Sequence, residues 1–406
     1  MAYPRPVTEK LRWVDYSRRS MQRVGFLKWV LRLASPSHPQ TLESLTRSFF
    51  DSVTKVVAVP ASMQERLALY VRAHRRNKED TANAEIQDLY LSDPALPSHT
   101  GAITGDLVRS GYRHSVYVDI PTWAARLQFL REVNYTVTDR GRVFLLSGGT
   151  EGREPAHFSG GNPLLLNTPE RYVFLFSLID SDGDFLAALY RRLLSNDTFT
   201  RADVGRAALE ALEELREVHL KNRSAGRLQQ IRSKVDKTVE AIKGQSPGGL
   251  GPRESIATPR TEPLVDCGLL SRTDSEAYEY SFSPWGRAFM TAFVSAIDMN
   301  DFLTNHLSSS MAKLTGQQIG ATPSLSTLES AYSQLRSGLG YVSLRELALA
   351  AIVDQLATNE AELFEIGAIE NFLKRAAADD NRFVRMALGR AGGIAQVRID
   401  QRAFSR

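Results

Sequence analysis

The chain has 406 residues, 43% of them hydrophobic and 24% charged, which is the makeup of an ordinary soluble protein of two or three domains. The longest uninterrupted apolar run, LALAAIV at 347–353, falls far short of the roughly 18 residues a membrane span needs, and MAYPRPVTEKLRW places charges where a signal peptide has its apolar core. A single cysteine, Cys267, excludes an internal disulfide and any zinc site built on cysteines, so a cytoplasmic protein is expected.

The net charge of +4 is unevenly spread. Residues 1–80 carry 15 Lys and Arg against 7 Asp and Glu, and residues 371–406 carry 8 against 3, which leaves the middle of the chain acidic. Basic ends around an acidic centre point to polyanion contact at the ends. Arginine outnumbers lysine 40 to 10. That ratio has two readings: bidentate contact to phosphate and guanine, or the codon usage of a GC-rich genome.

In chain order, TLESLTRSFFDSV (41–53) predicts a helix capped by Thr41, with Leu42, Leu45, Phe49 and Val53 on one face. SMQERLALYVRAHRRNK (62–78) opens with a capping box from Ser62 to Glu65. IPTWAARLQFLREV (120–133) has Pro121 at its expected start and a buried stripe of Trp123, Leu127 and Leu130. The Gly-rich stretch 147–163 reads as a linker, as does 244–263, GQSPGGLGPRESIATPRTEP. Between them, PERYVFLFSLIDSDGDFLAALYRRLLS (169–195) predicts two helices broken at Asp180 to Gly183. Residues 200–243 predict a helix hairpin or short coiled-coil seam carried by Leu228, Ile231, Val235, Val239 and Ile242. GLLSR, a turn, and YEYSF then form a β-hairpin. In the last unit STLESAYSQL, SLRELALAAIVDQL and EIGAIENFLKRAAA predict three helices, and VRMALGRAGGIAQVRID two strands joined through Gly392 and Gly393.

One phrase occurs twice. YTVTDRGRVF (135–144) and YSFSPWGRAF (280–289) share an aromatic, a capping hydroxyl at Thr138 or Ser283, a glycine at Gly141 or Gly286, and a phenylalanine at Phe144 or Phe289. The hydroxyl satisfies free N–H groups at a helix start, the glycine permits close approach of helix and hairpin, and the phenylalanine plugs the core. Both copies are expected to fold as strand, turn and helix, with Trp123 and Trp285 in the core. Helices followed by GLLSR…YSFSPWGRAF resemble a winged helix and its wing, with a good match over 268–289, a weaker one in the first unit, and one only at the level of topology in the last.

The resemblance implies a third helix in the major groove and a wing on phosphate or the minor groove. It puts forward Arg126 and Arg131 on the third helix of the first unit, with Arg140 and Arg142 near the wing. In the second unit it puts forward Arg272 and Arg287, with Arg253 and Arg260 in the linker before them, and in the third Arg382, Arg385, Arg390 and Arg398. Arg18, Arg19, Arg72, Arg75, Arg76 and Lys78 are placed to track phosphates. For each residue the competing reading is a solvated helix face.

Catalytic patterns are not found. GQSPG (244–248) fits a nucleophile elbow but lacks the strand before and helix after. DSDGDF (180–185) fails as a calcium loop, with Phe185 at position six and Arg191 at position twelve, and is expected to be a turn with a helix cap. No lysine has a carboxylate two residues before it, no phosphate loop occurs, and the seven histidines are scattered. No enzyme, metal or cofactor is expected. The expected fold is mainly α with small β-hairpins: two or three winged-helix modules plus a helical hairpin or coiled-coil insertion, in units 1–146, 164–300 and 324–406. The expected function is non-catalytic binding of duplex DNA, as a regulator or the DNA-engaging subunit of a complex, with a homodimer or protein partners formed through the 204–242 helices. The rival is an interaction scaffold, an accessory subunit beside a chromosome-maintenance or phage-defence ATPase or nuclease.

Overall fold

A computed structural model describes residues 24–34, 38–56, 114–148, 166–219, 227–243, 251–272, 279–296, 298–320, 322–336, 338–379, 383–388, 395–400, 402 and 404. The protein is mainly helical, with three small sheets among these residues. Helices α1 (Phe26–Leu33), α2 (Leu42–Val56), α3 (His114–Arg126) and α4 (Asp139–Ser147) come first. The Thr41 hydroxyl accepts from Ser44 N at the start of α2, whose Leu45 and Phe49 are buried. Helix α3 starts at His114 and carries Pro121 inside it, rather than starting there. Trp123 is buried in α3, while Leu127 and Leu130 are buried beyond its end.

The molecule is organised around α5 (Thr168–Leu193). This one continuous helix of 26 residues corrects the expected break at Asp180 to Gly183. A capping box sets its start: the Asn167 side chain accepts from Glu170 N, and Glu170 accepts from Asn167 N. Lys28 of α1 adds an ion pair to Glu170 at 2.7 Å. Gly183 lowers helix propensity by about 1 kcal/mol, but a Cβ there would sit 2.8 Å from Met299 Cγ, so the glycine makes room for the next layer. Nearly every residue of α5 is buried.

After α5 come strand β1 (Thr198–Thr200), helix α6 (Arg201–Glu214), helix α7 (Arg227–Lys243), helix α8 (Gly251–Asp266), strands β2 (Leu270–Arg272) and β3 (Glu279–Phe282), and helix α9 (Pro284–Ser295). The sheet is antiparallel in the order β1-β3-β2, with Phe199 opposite Tyr280 and Leu270 opposite Phe282. Phe199, Tyr280 and Phe282 form its buried face. Helix α7 lies against α6, and Val235 and Val239 of the expected seam are buried inside this chain.

Helix α8 corrects the linker expected at 244–263. Residues 251–266 are helical in spite of Pro259 and Pro263, each of which removes an N–H. Burial outweighs propensity there: every residue from Pro259 to Leu264 is buried.

Helices α10 (Met299–Asn305) and α11 (Leu307–Thr315) lead to strand β4 (Gln318–Ile319) and helix α12 (Glu329–Leu335). Then follow β5 (Val342–Ser343), α13 (Leu344–Thr358), β6 (Glu362–Leu363), α14 (Ile366–Asp379), β7 (Val384–Leu388) and β8 (Ala395–Ile399). Strands β4 and β6 pair in parallel, and the antiparallel sheet runs β5-β8-β7. The 168–295 and 329–399 segments share a sheet plan: a helix, a first strand, a helical stretch (α6, α7 and α8 in one, α13 and α14 with β6 between them in the other) and two strands, the last of which lies in the middle of the sheet. Hydrophobic on all sides, α13 is buried almost throughout.

The repeated phrase has a repeated geometry. After α3, Gln128 takes a positive φ of 66° and Phe129 N bonds Ala124 O; after α8, Gly268 takes a φ of 77° and Leu269 N bonds Leu264 O. Thr138 N and Ser283 N then bond the carbonyls of Phe129 and Leu269. Each hydroxyl caps the following helix at the glycine N–H, Gly141 at 3.0 Å and Gly286 at 2.9 Å. In the first copy the strands reduce to a single bridge between Leu130 and Val137. We expect Ser283→Ala and Thr138→Ala each to cost about 1 kcal/mol in urea unfolding.

Candidate nucleic-acid interface

The long-range packing decides which arginines face solvent. Arg140, in the first turn of α4, is buried: Nη1 donates to Asp180 at 2.7 Å, Nη2 to Glu346 of α13 at 2.9 Å, and its guanidinium lies 4.9 Å from the Phe176 ring centroid. Burial works against its charge, but the two carboxylates outweigh burial and raise its pKa. Arg260 repeats the arrangement from α8, beside Asp182 at 3.5 Å and over Phe185 at 4.9 Å, with both charged side chains fully buried. The acidic run in α5 is thus a set of docking points for arginines from other helices. This corrects the expected turn, and it removes Arg140 and Arg260 from any surface role.

Arg142 and Arg287, which occupy the same place in the repeated phrase, do the same local job. Arg142 donates to the carbonyls of Gln334 and Leu335 at the end of α12. Arg287 donates to those of Leu194 and Asn196 just past α5. Each supplies donors and positive charge to a helix C-terminus that lacks intrahelical partners. Arg272 is half-buried and ion-paired to Glu262, which also takes the Tyr280 hydroxyl at 2.6 Å. These three are structural contacts rather than free surface cations.

Arg126 ends α3 and is half-buried, while Arg131 is exposed on the short hairpin that follows and not on the helix. The second unit's third helix, α8, is enclosed along Pro259 to Leu264, which shuts that stretch of it off from a groove. Arg18, Arg19, Arg72, Arg75, Arg76, Lys78, Arg382, Arg390 and Ser246 of GQSPG lie outside the described residues, as does the side chain of Arg253.

The third unit differs. Helix α14 buries Ile366, Ile369 and Leu373 and leaves Asn371, Lys374 and Arg375 exposed; it packs against β7. On the adjoining hairpin Arg385 and Arg398 are exposed and stand directly opposite each other in the register. Like charges directly opposite across a strand pair destabilise it. The sequence reading missed Lys374 and Arg375, although the Ile366, Ile369, Leu373 spacing already placed both on the far face of the helix. It missed Arg336 as well, exposed in the turn after α12.

Burial pushes the Cys267 thiol well above its ordinary range. No group of three or more His, Cys, Asp or Glu suited to a metal ion occurs among the described residues, and no helix among them is long and apolar enough to cross a membrane. The sequence matches no protein-family model, and no curated protein or solved structure matches it.

Proposed function

We propose that 168–295 and 329–399 are two winged-helix modules and that the chain binds duplex DNA through the second, as a regulator or the DNA-engaging subunit of a complex. The observation that carries this reading is the solvent-facing α14 beside a hairpin with Arg385 and Arg398 in cross-strand register. Lys374, Arg375, Arg385 and Arg398 supply four cations on adjoining elements. Such a surface holds phosphates and carries a strong salt dependence.

Polarisation anisotropy with a duplex oligonucleotide at two salt concentrations tests it. Four phosphate contacts correspond to a slope of log K on log salt of about −3.6. Lys374→Glu with Arg375→Glu should weaken every duplex and flatten the slope by about 2. Absence of binding to any duplex at low salt would remove this reading.

A second reading, the scaffold, is favoured by one observation. The enclosure of α8, with Arg260 paired inside the chain to Asp182, suits a first module whose third helix holds the molecule together. The basic N-terminal segment belongs equally to both readings.

A further inference from the structure

The turn between α12 and β5 forms, with the end of β8, an open cleft of about 400 Å³. Tyr332 fixes its shape. The Tyr332 hydroxyl donates to Gly340 O at 2.7 Å and accepts from Ile399 N at 3.0 Å, which ties the turn to the strand. Gly338 and Gly340 take positive φ values of 48° and 78°, a left-handed backbone that glycine adopts without strain. A Cβ on Gly340 would stand 3.7 Å from Arg398 Nε, an ordinary contact distance, which shows that the Arg398 side chain lies along the turn. Arg336 lines the cleft as well, and so does Leu339, which is 81% exposed.

We propose that this cleft binds a phosphate group. The guanidinium groups of Arg336 and Arg398 both line the cleft, and each has the planar fork geometry suited to phosphate oxygens. Turns with residues in the left-handed region also direct backbone N–H groups toward anions. One carboxylate, Asp400, lines the cleft, but it is neutralised by Arg402, whose Nε, Nη2 and backbone N–H all bond it at 2.9–3.1 Å. Its volume lies within the range of about 300–1,000 Å³ usual for small-molecule sites. The cleft is at the end of β8 away from the β7–β8 connection; it shares Arg398 with the proposed duplex surface, whereas Arg336 belongs to the cleft and Lys374 to the α14 face, so these two separate the readings. The phosphate has two possible sources, a phosphorylated small molecule or a nucleic-acid strand.

The test uses the full chain with inorganic pyrophosphate by titration calorimetry, and a short oligonucleotide, single-stranded and duplex, by anisotropy. The variants are Arg336→Gln, Arg398→Gln and, on the α14 face, Lys374→Gln. All three side chains are exposed, and matching thermal melts confirm that the variants fold. Loss of one charge-assisted contact should weaken binding about tenfold or more. Pyrophosphate binding that falls in Arg336→Gln and Arg398→Gln but not in Lys374→Gln supports the site with a small-molecule source. Oligonucleotide binding that falls in Arg336→Gln, with no pyrophosphate binding, supports it with a strand as the source. If no probe binds, or if neither arginine substitution changes binding, the proposal is overturned. Duplex binding lost only in Lys374→Gln would overturn the cleft and leave the α14 reading standing.

Discussion

Replacing Arg140 with methionine should destabilise the fold by about 3–5 kcal/mol at neutral pH. Methionine fills much of the same space, so the loss comes from charge. Asp180 and Glu346 would remain buried, their side chains only 3% and 11% exposed, without the guanidinium that neutralises them. Residual bonds from Gln128 to Asp180 and from Ser343 to Glu346 cannot replace a positive charge. Because Arg140 joins α4 to α5 and α13, the damage should reach all three helices. Chemical unfolding at pH 7 and at about pH 5 checks both parts of the expectation: protonation of the stranded carboxylates should shrink the deficit at the lower pH. A loss under about 1 kcal/mol would mean that water reaches the site. Arg140→Met combined with Asp180→Leu and Glu346→Leu should recover much of the loss, since apolar replacement of a whole buried ion cluster is often neutral or better.

The second large effect belongs to the repeated glycine. An alanine Cβ at Gly286 would lie 1.8 Å from Leu269 O, and one at Gly141 would lie 2.2 Å from Phe129 O. Both obstacles are main-chain carbonyls, and each already accepts the N–H of the capping residue, Ser283 or Thr138. Neither can withdraw without breaking the hairpin-to-helix joint. Gly286→Ala should therefore cost about 3 kcal/mol or more, at the upper end of overpacking substitutions. Gly316→Ala is the control: it has a φ of 77° but nothing within 4 Å of the added carbon, so only the left-handed backbone penalty of about 1–2 kcal/mol applies. Thermal melts of the three variants would rank them. Equal losses at Gly286 and Gly316 would show that the joint yields more than its contacts suggest.

Much of the local structure was legible in the sequence. Thr41, Thr138 and Ser283 cap helices because a hydroxyl at that position meets a free N–H within its own next turn. The strands at 270–272, 279–282, 384–388 and 395–399 and the helices of the last unit follow from short-range patterns of apolar and turn residues. The glycine and the hydroxyl of the repeated phrase act on residues 9 to 17 positions away, near enough for the pattern to be read.

What only the tertiary structure decided lies at longer range. Asp180, Asp182 and Gly183 in sequence are a helix-breaking turn, because local propensity is all that a window of residues contains. In the molecule Arg140, 40 residues earlier, and Arg260, 78 residues later, neutralise the two aspartates, and Met299 fills the space over the glycine. Pro259 and Pro263 likewise argue for a linker until burial on every side makes a helix the better state for 251–266. The surface arginines divide in the same way. Residue type and spacing determined that Arg140, Arg142, Arg287, Arg385 and Arg398 have matching chemistry, but a charge is drawn inside only where packing brings it a carboxylate or a helix end. Arg140 is buried between two carboxylates and Arg142 and Arg287 are held at helix ends, while the side chains of Arg385 and Arg398, opposite one another in the register, are exposed.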